Sequence, residues 1–415
     1  MPASWKNKPG RFKPEIILAE VDSERTVGAN GKVSFVAFGS FEMSVPIIRS
    51  MLDFPDAAEH LDVSHLISRS FASAKGKLTS ATFLAALNAA LKRELSKLDE
   101  DFVMLTALSI SVPSFPPMHT VNGAKIRLLQ GDYPSRFRKS RETVLQDPRS
   151  ATMEATPPTY TKVLVRIKAK SPRAAALKAL DALDLLRGIW CLYCNPGFEI
   201  PLGGNPPRKP INLIRLGNQH TVHHPDGSLV SESQFWYEPN FSPAHPYTPK
   251  DASLLLKAQR DVLRRLAASP YSKRLVSAIL RGTRALDESD ADVAFVRLWS
   301  ALESATASGI GQGDYDKVVR RCAFLYKETE YQRQVMEHLR EYRNANIHSG
   351  TSSEDARLHC FQLLDFFRSL IRFHLRNRGG FKSIDEANRF LDLPSDKQEL
   401  RSIVATARRA LKFLG

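Results

Sequence analysis

From residue 248 onward, apolar residues recur every three to four positions in one segment after another. This period is typical of amphipathic helices that bury one face. The spacing predicts helices at residues 251–268, 272–286, 290–307, 314–326, 330–348, 353–377, 384–391 and 396–413. Ser395 and Gln398 have the spacing of a capping box at the start of the last helix. The short connections favour antiparallel neighbours, so we expect an up-and-down bundle.

The residues before 248 follow a mixed pattern. Alternating apolar and polar positions, or clusters of β-branched residues, predict strands at 15–21, 33–38, 103–112, 162–170, 211–216, 221–222 and 229–237. Helices are predicted at 78–98 and 172–193, and the second begins with Ser171 and Pro172, residue types that favour helix starts. The polar stretch that ends near Pro158 is interpreted as an extended loop, and residues 225–228 as a turn.

The distribution of proline marks a change between the two parts of the chain. Of the 25 prolines, 23 precede residue 251, and proline interrupts helices and sheet ladders alike. The sequence therefore predicts an α+β N-terminal region, followed by an all-α bundle. We expect a mixed domain at 1–247, a helical domain at 248–378 and a helical extension at 379–415. A further boundary near residue 150 is an alternative within the first domain.

The net charge indicates more about possible partners than the amino-acid composition does. Hydrophobic residues make up 43% and charged residues 25% of the 415 residues, which is ordinary for a globular protein. The formal net charge of +15 favours a polyanionic partner such as nucleic acid, with a solvated basic surface as the alternative. The N-terminus lacks the apolar stretch of a signal peptide, and no apolar run is long enough to span a bilayer. We expect a cytoplasmic protein with no membrane partner.

The cysteines and histidines of this sequence do not have the spacing of a metal site. Cys191 and Cys194 make one C-x-x-C pair without the second pair of a zinc site. His220, His223 and His224 would point to both faces of a strand, so we interpret them as surface or loop histidines. No metal and no cofactor is predicted.

Arg343 interrupts an apolar stripe. In the helix predicted at 330–348 the stripe runs through Val335, Met336, Leu339 and Ile347. Because burying an unpaired charge is prohibitive, the guanidinium must be paired or must face a polar pocket. Glu303, at the margin of the stripe of the helix predicted at 290–307, is the expected carboxylate partner. The alternative is a salt bridge that only ties two helices together.

Two further polar residues follow Arg343 on the same helix. Asn344 and His348 are four residues apart and share a helical face. Arg343 and His348 are five residues apart, which is about 140° around an ideal helix. Their convergence requires a long reach by Arg343, a loosened last turn before Gly350, or a second subunit. A site shared across a two-fold dimer would meet this requirement.

Three segments of the helical region together resemble a known family. Residues 298–303 (LWSALE), 320–325 (RRCAFL) and 342–350 (YRNANIHSG) are similar to an Apea-like domain of the HEPN superfamily. Members of this superfamily are helical RNases of prokaryotic toxins and antiviral defence, with Arg, four to six residues and then His near a helix end. Here Arg343 and His348 are separated by four residues, and Asn344 is the polar residue that usually follows the Arg. The resemblance covers about residues 255–378.

The resemblance implies a metal-independent endoribonuclease that acts as a homodimer or higher homo-oligomer. Arg343, His348 and Asn344 would be catalytic, Glu303 would support them, and RNA would be the partner. Residues 1–247 would sense an activating ligand or protein. Arg372 and Arg376 form a basic edge that would follow RNA phosphates, although interaction with the helix dipole explains them equally well. The alternative function is a non-catalytic scaffold that binds nucleic acid or another partner.

Overall fold

The structure is a computed structural model that describes residues 2–8, 11–28, 33–35, 40–111, 115–199, 208–231, 234–306, 315–349 and 353–415; of His348 and Ser349 it describes the backbone alone. The helices are α1 Pro14–Ser23, α2 Ser40–Met51, α3 Val63–Ser73, α4 Ser80–Ser96, α5 Ser135–Leu145, α6 Pro148–Ala151, α7 Pro172–Cys194, α8 Ala252–Ala268, α9 Ser272–Ala285, α10 Ala291–Thr306, α11 Tyr315–Ala323, α12 Thr329–Ser349, α13 Ala356–Arg376, α14 Ile384–Leu391 and α15 Lys397–Leu414. The strands are β1 Ser4–Trp5, β2 Arg25–Val27, β3 Val33–Phe35, β4 Leu52–Asp53, β5 Glu100–Leu108, β6 Met118–Val121, β7 Ala124–Leu128, β8 Thr161–Ala169, β9 Gln219–His223 and β10 Phe235–Tyr237.

The predicted fold class is confirmed. A mixed α+β region with a six-stranded antiparallel sheet precedes a region in which the described elements, α8 to α15, are all helices. The order across the sheet is β10-β9-β5-β8-β7-β6. The central pair, β5 and β8, aligns Glu100 with Ala169 and Leu108 with Thr161 along their full lengths.

The first hundred residues form a unit with its own core. Helices α1 to α4 bury a separate cluster of apolar side chains, centred on Phe71, Phe83 and Leu87, and all its members lie between Ala3 and Leu91. Two short antiparallel pairs, β1 with β4 and β2 with β3, lie at its edge. The core of the unit is not continuous with the core of the sheet.

Helix α7 joins the sheet to the helical region. Its N-cap is Ser171, whose side chain accepts a hydrogen bond from the backbone N–H of Ala174 at 3.2 Å, as predicted. Its stretch from Ala182 to Cys191 is buried on all sides, because the sheet covers one face of the helix and α8 and α9 cover another. One continuous hydrophobic core therefore extends from Phe102 in β5 to Leu391 in α14, across the predicted boundary at residue 247.

A buried ionic network fixes α7 against α9. Arg187 of α7 is fully buried and donates to Asp184 from Nε at 2.8 Å and to Asp287 from Nη1 at 2.8 Å. Arg284 of α9 donates to Asp184 and to Glu238, which links the helices to the segment after β10. Because each buried charge has an opposite charge in contact, the network satisfies the condition for burying ions.

Several predicted elements of the N-terminal region are wrong. Residues 15–21 lie in a helix, not a strand. The predicted loop before Pro158 contains β6, β7 and two helices. Residues 211–216 form no strand, and within 229–237 the described strand covers Phe235–Tyr237 alone. The predicted strand end at 36–38 lies outside the described residues.

Two further corrections concern single residues. The N-cap of α15 is Asp396, not Ser395, because the Asp396 carboxylate accepts from the N–H groups of Gln398 and Glu399. His220 and His223 are fully buried in β9 and are not surface histidines. His220 bridges Thr106 Oγ1 at 2.7 Å and Glu238 Oε1 at 3.1 Å, so it is a hydrogen-bonded core histidine.

Within the described part of the chain, no helix combines the length and apolar character needed to cross a membrane.

Candidate functional site

Arg343 lies in the last third of α12, on the face that packs against the bundle. Leu339 and Met336, one and two turns earlier, are fully buried on this face, whereas Ile347, one turn later, is 45% exposed. The apolar stripe therefore opens to solvent at Arg343, which is half-buried. Its guanidinium lies over the ring of Tyr315, the first residue of α11, with 4.4 Å between Cζ and the ring centroid. The aromatic face stabilises the cation without a carboxylate in contact.

The Arg343 guanidinium keeps unused hydrogen-bond donors. Nη1 donates to Asn344 Oδ1 at 3.3 Å, a long bond, and Nε is buried without a partner. Among the described residues Nη2 has no hydrogen-bond partner, and no carboxylate oxygen lies within 4.0 Å of the guanidinium. Such a guanidinium can bind an anion with two donors at once, which is the geometry that suits phosphate.

Glu303 lies near Arg343 and is held by another residue. The indole Nε1 of Trp299 donates to Glu303 Oε1 at 2.9 Å within α10. Burial raises the pKa of Glu303, and the Trp299 hydrogen bond and the positive charge of Arg343 oppose this shift. The charge of Arg343 therefore acts on Glu303, but the described residues contain no direct ion pair between the two side chains.

The neighbouring face of α12 is anchored to the start of α10. Tyr342 is buried against Phe295 with ring centroids 4.9 Å apart, and its hydroxyl donates to Asp292. The side-chain amide of Asn346 donates to the same carboxylate at 2.9 Å. The two bonds to Asp292 fix the rotation of the helix about its axis on either side of Arg343.

His348 lies in the last turn of α12, and its side chain lies outside the described residues. Gly350, which was predicted to end the helix, also lies outside them. Asn344 is half-buried, directly after Arg343. The distance from Arg343 to the His348 imidazole therefore stays a prediction.

Arg372 and Arg376 lie far along α13 from this site. Both are exposed, and Arg372 lies over the ring of Tyr193 with 6.0 Å between Cζ and the centroid. His359, near the other end of α13, contacts Tyr342 with ring centroids 4.5 Å apart. Thirteen residues separate His359 from Arg372, which is about 20 Å along an ideal helix. The structure therefore does not bring these arginines together with Arg343.

Tyr315, Asp292 and Asn346 are contacts of this part of α12 that were not predicted from the sequence. Tyr315 starts a helix distant in sequence, and nothing in its own segment indicates an arginine partner. Asn346 did carry a signal, because Tyr342 and Asn346 are four residues apart and share a helical face.

A large cavity of about 840 Å³ lies elsewhere, at the edge of the sheet near Gly131, Tyr160 and Lys162. None of the predicted site residues lines it, so volume alone does not locate the candidate chemistry. Across the described residues, no group of three or more His, Cys, Asp or Glu side chains is arranged to hold a metal ion.

Comparison of the chain with protein-family models, with curated proteins and with solved structures gives no match.

Proposed function

We propose that this protein is a metal-independent endoribonuclease of HEPN type, which acts as a regulated toxin or antiviral effector. The observation that supports the proposal is the environment of the Arg343 guanidinium. Its guanidinium is oriented by the Tyr315 ring and keeps free donors, and Arg343 lies five residues before His348 on the same helix. A structural arginine on an apolar stripe would instead be expected to spend its donors on a carboxylate.

The chemistry assigns one role to each residue of the motif. The His348 imidazole removes the proton from a ribose 2′-OH or returns one to the leaving 5′-oxygen. The 2′-oxygen forms a bond to phosphorus, and the bond from phosphorus to the 5′-oxygen breaks. The products are a 2′,3′-cyclic phosphate and a 5′-hydroxyl. Arg343 stabilises the extra negative charge on the phosphorane oxygens, and Asn344 orients the phosphate.

The helical spacing supports a shared site. Arg343 and His348 are about 140° apart around an ideal helix, so a second subunit is one way to complete the pair, beside a long reach by Arg343 or a loosened last turn. A two-fold dimer would bring the two copies of the motif face to face. Residues 1–247 would hold the nuclease inactive until they bind a ligand or a partner protein.

The test is cleavage of a labelled RNA by the full chain in EDTA. We expect cleavage by the wild type, with a cyclic phosphate end, and a loss of about 100-fold or more in His348→Ala and Arg343→Ala. Arg343→Lys should also lose most activity, because lysine cannot offer two donors in one plane. An RNA with 2′-deoxyribose at the cleaved position should resist cleavage.

Arg333→Ala is the matched control, since Arg333 lies exposed on the same helix. It should cleave as the wild type does. Equal cleavage by the wild type and by both motif variants would refute the proposal, because the activity would then come from elsewhere. If no variant cleaves but all bind RNA with an affinity that falls with salt, the protein is the non-catalytic scaffold. In that case Arg343→Ala should lower the melting temperature through the lost contact with Tyr315, whereas His348→Ala should not.

A further inference from the structure

Two histidines on neighbouring helices lie next to each other. His338 of α12 and His359 of α13 approach each other with 3.1 Å between their Nε2 atoms. His338 is exposed and His359 is buried, so one member of the pair lies at the protein surface. An ion from solvent can reach the pair from the side of His338. Neither residue belongs to the Arg343 site.

The geometry of the pair fits a shared metal ion. Two imidazole nitrogens bound to one zinc ion at about 2.0–2.1 Å are about 3.0–3.4 Å apart for N–Zn–N angles near 95–110°. Their ring centroids are then about 4.7–5.2 Å apart, and the observed values of 3.1 Å and 5.0 Å fall within both ranges. Two rings that met head-on through a straight N–H···N bond of this length would have centroids about 5.4 Å apart. The rings are bent relative to each other, as two ligands of one ion are.

A free carboxylate lies beside the pair. Asp355 is four residues before His359 at the start of α13, so the two side chains share a helical face. Its negative charge acts on His359. Asp355 is exposed, and in the described part of the chain its carboxylate makes no ion pair or hydrogen bond and does not cap its own helix. As it is placed, Asp355 does not complete a three-ligand set with the two histidines, so its side chain would have to rotate to reach the metal as a third ligand.

We propose that His338 and His359 bind a first-row transition ion such as Zn²⁺ through Nε2, with Asp355 as a third ligand and water in the remaining position. The ion replaces the contact between the rings and ties α12 to α13, one turn before Tyr342. The His359 Nδ1 atom is buried without a partner, so the site lacks the second hydrogen bond that most metal-bound histidines make. The binding is therefore that of a modest, exchangeable site, distinct from the proposed nuclease chemistry.

The experiment is titration of the full chain with ZnCl₂, followed by calorimetry and by the melting temperature. We expect one zinc per chain at this site and a melting temperature that rises with zinc concentration, because the ion binds the folded state alone. His338→Gln and His359→Gln should each weaken zinc binding by about tenfold or more, and Asp355→Asn by a smaller factor. His65→Gln removes an exposed histidine of α3 and should bind zinc as the wild type does.

His338→Gln decides the outcome, since an exposed side chain can be changed without unfolding the protein. If the wild type and this variant bind zinc equally, the ion lies elsewhere and the proposal is overturned. It is also overturned if zinc leaves the melting temperature of the wild type unchanged, because the histidines are then only a hydrogen-bonded pair. The readout does not depend on RNA cleavage, so it can fail or succeed separately from the nuclease proposal.

Discussion

At the scale of single residues, Arg343 is a cation on an apolar stripe that is stabilised without a direct ion pair. Arg343 packs on the Tyr315 ring, and Glu303 is near enough for its pKa to respond to the guanidinium. The Glu303 carboxylate is itself held by Trp299. Such an arrangement leaves a positive charge at the end of α12 that a phosphate could neutralise.

Replacement of Glu303 by Gln should stabilise the protein increasingly as the pH rises. Burial raises the pKa of Glu303 despite the opposing effect of Arg343, so the fold favours the neutral carboxyl. The contribution of the neutral Glu303 side chain to the free energy of unfolding is fully present below the ordinary pKa of 4.5. It is lost as the pH rises through the raised pKa. Glutamine keeps the acceptor for Trp299 and never ionises. Melting temperatures of Glu303→Gln and the wild type should converge near pH 4 and separate by pH 7.

The control for this pH dependence is Glu20→Gln, an exposed glutamate in the last turn of α1. The same change of charge at this exposed position should change the melting temperature little. A Glu303→Gln variant that loses stability at pH 7 would contradict the prediction. It would mean that attraction to Arg343 outweighs the cost of burial.

The sequence identified the unusual position of Arg343 because a periodic stripe makes one charged residue conspicuous. It also placed Glu303 near the facing stripe. It could not supply Tyr315, because a ring from α11 reaches the guanidinium through the packing of two helices and not through spacing along one. The direct Glu303–Arg343 ion pair was expected on charge alone, and the nearer Trp299 indole takes that carboxylate instead.

At the scale of elements, the helical region was predictable and the mixed region only in part. The helices after residue 248 follow the predicted bounds within a few residues. Helices α8 to α14 each bury part of their surface, whereas α15 buries no residue and is marked by its periodic pattern and its Asp396 cap alone. Residues 15–21 suggested a strand through their β-branched residues. Pro14 at the first turn and the buried pair Leu18 and Val21 were the overlooked helix signals. The hairpin of β6 and β7 also had a signal in Asn122-Gly123, since both residues adopt positive φ in the turn.

The contact between α7 and α9 depends on a glycine in a helix interior. A Cβ atom on Gly188 would lie 2.1 Å from Thr283 Oγ1 and 3.3 Å from Ile279 Cγ2. Gly188→Ala should therefore destabilise the fold by about 1–3 kcal/mol through overpacking, as measured by urea unfolding. The intrinsic preference for alanine in a helix, about 1 kcal/mol, has the opposite sign and is the smaller effect.

Thr283→Ala provides the matched test of this cause. Alone it removes a buried hydroxyl that donates to Ile279 O at 2.7 Å, and it should cost some stability. Combined with Gly188→Ala it removes the clashing atom, so the double variant should be more stable than the sum of the single effects predicts. Strict additivity would show that the Gly188 contact is relaxed at no cost.

At the scale of the whole molecule, the hydrophobic cores indicate other boundaries along the chain than the distribution of proline does. The unit formed by α1 to α4 has its own core. Its polar contacts with the other described residues include ion pairs between exposed groups, such as Lys273 with Asp56 at 2.6 Å. Surface pairs of this kind contribute little to stability, because solvent screens both charges. By contrast, α7 from the mixed region is buried against α8 and α9 of the helical region. The mixed region and the helical region therefore share one hydrophobic core.

A chain that begins at residue 99 should fold cooperatively, because the larger core runs from Phe102 to Leu391 without α1 to α4. A chain that begins at residue 248 should not reach the same stability, since α8 and α9 would expose the faces that α7 covers, and Asp287 would lose Arg187. Urea unfolding monitored by circular dichroism compares the two with the full chain. If the shorter chain melts as cooperatively and at the same temperature as the full chain, residue 247 is a true domain boundary. Coupling between the two regions would then have to pass through the surface instead of the core, because each region would keep its packing when the other is removed.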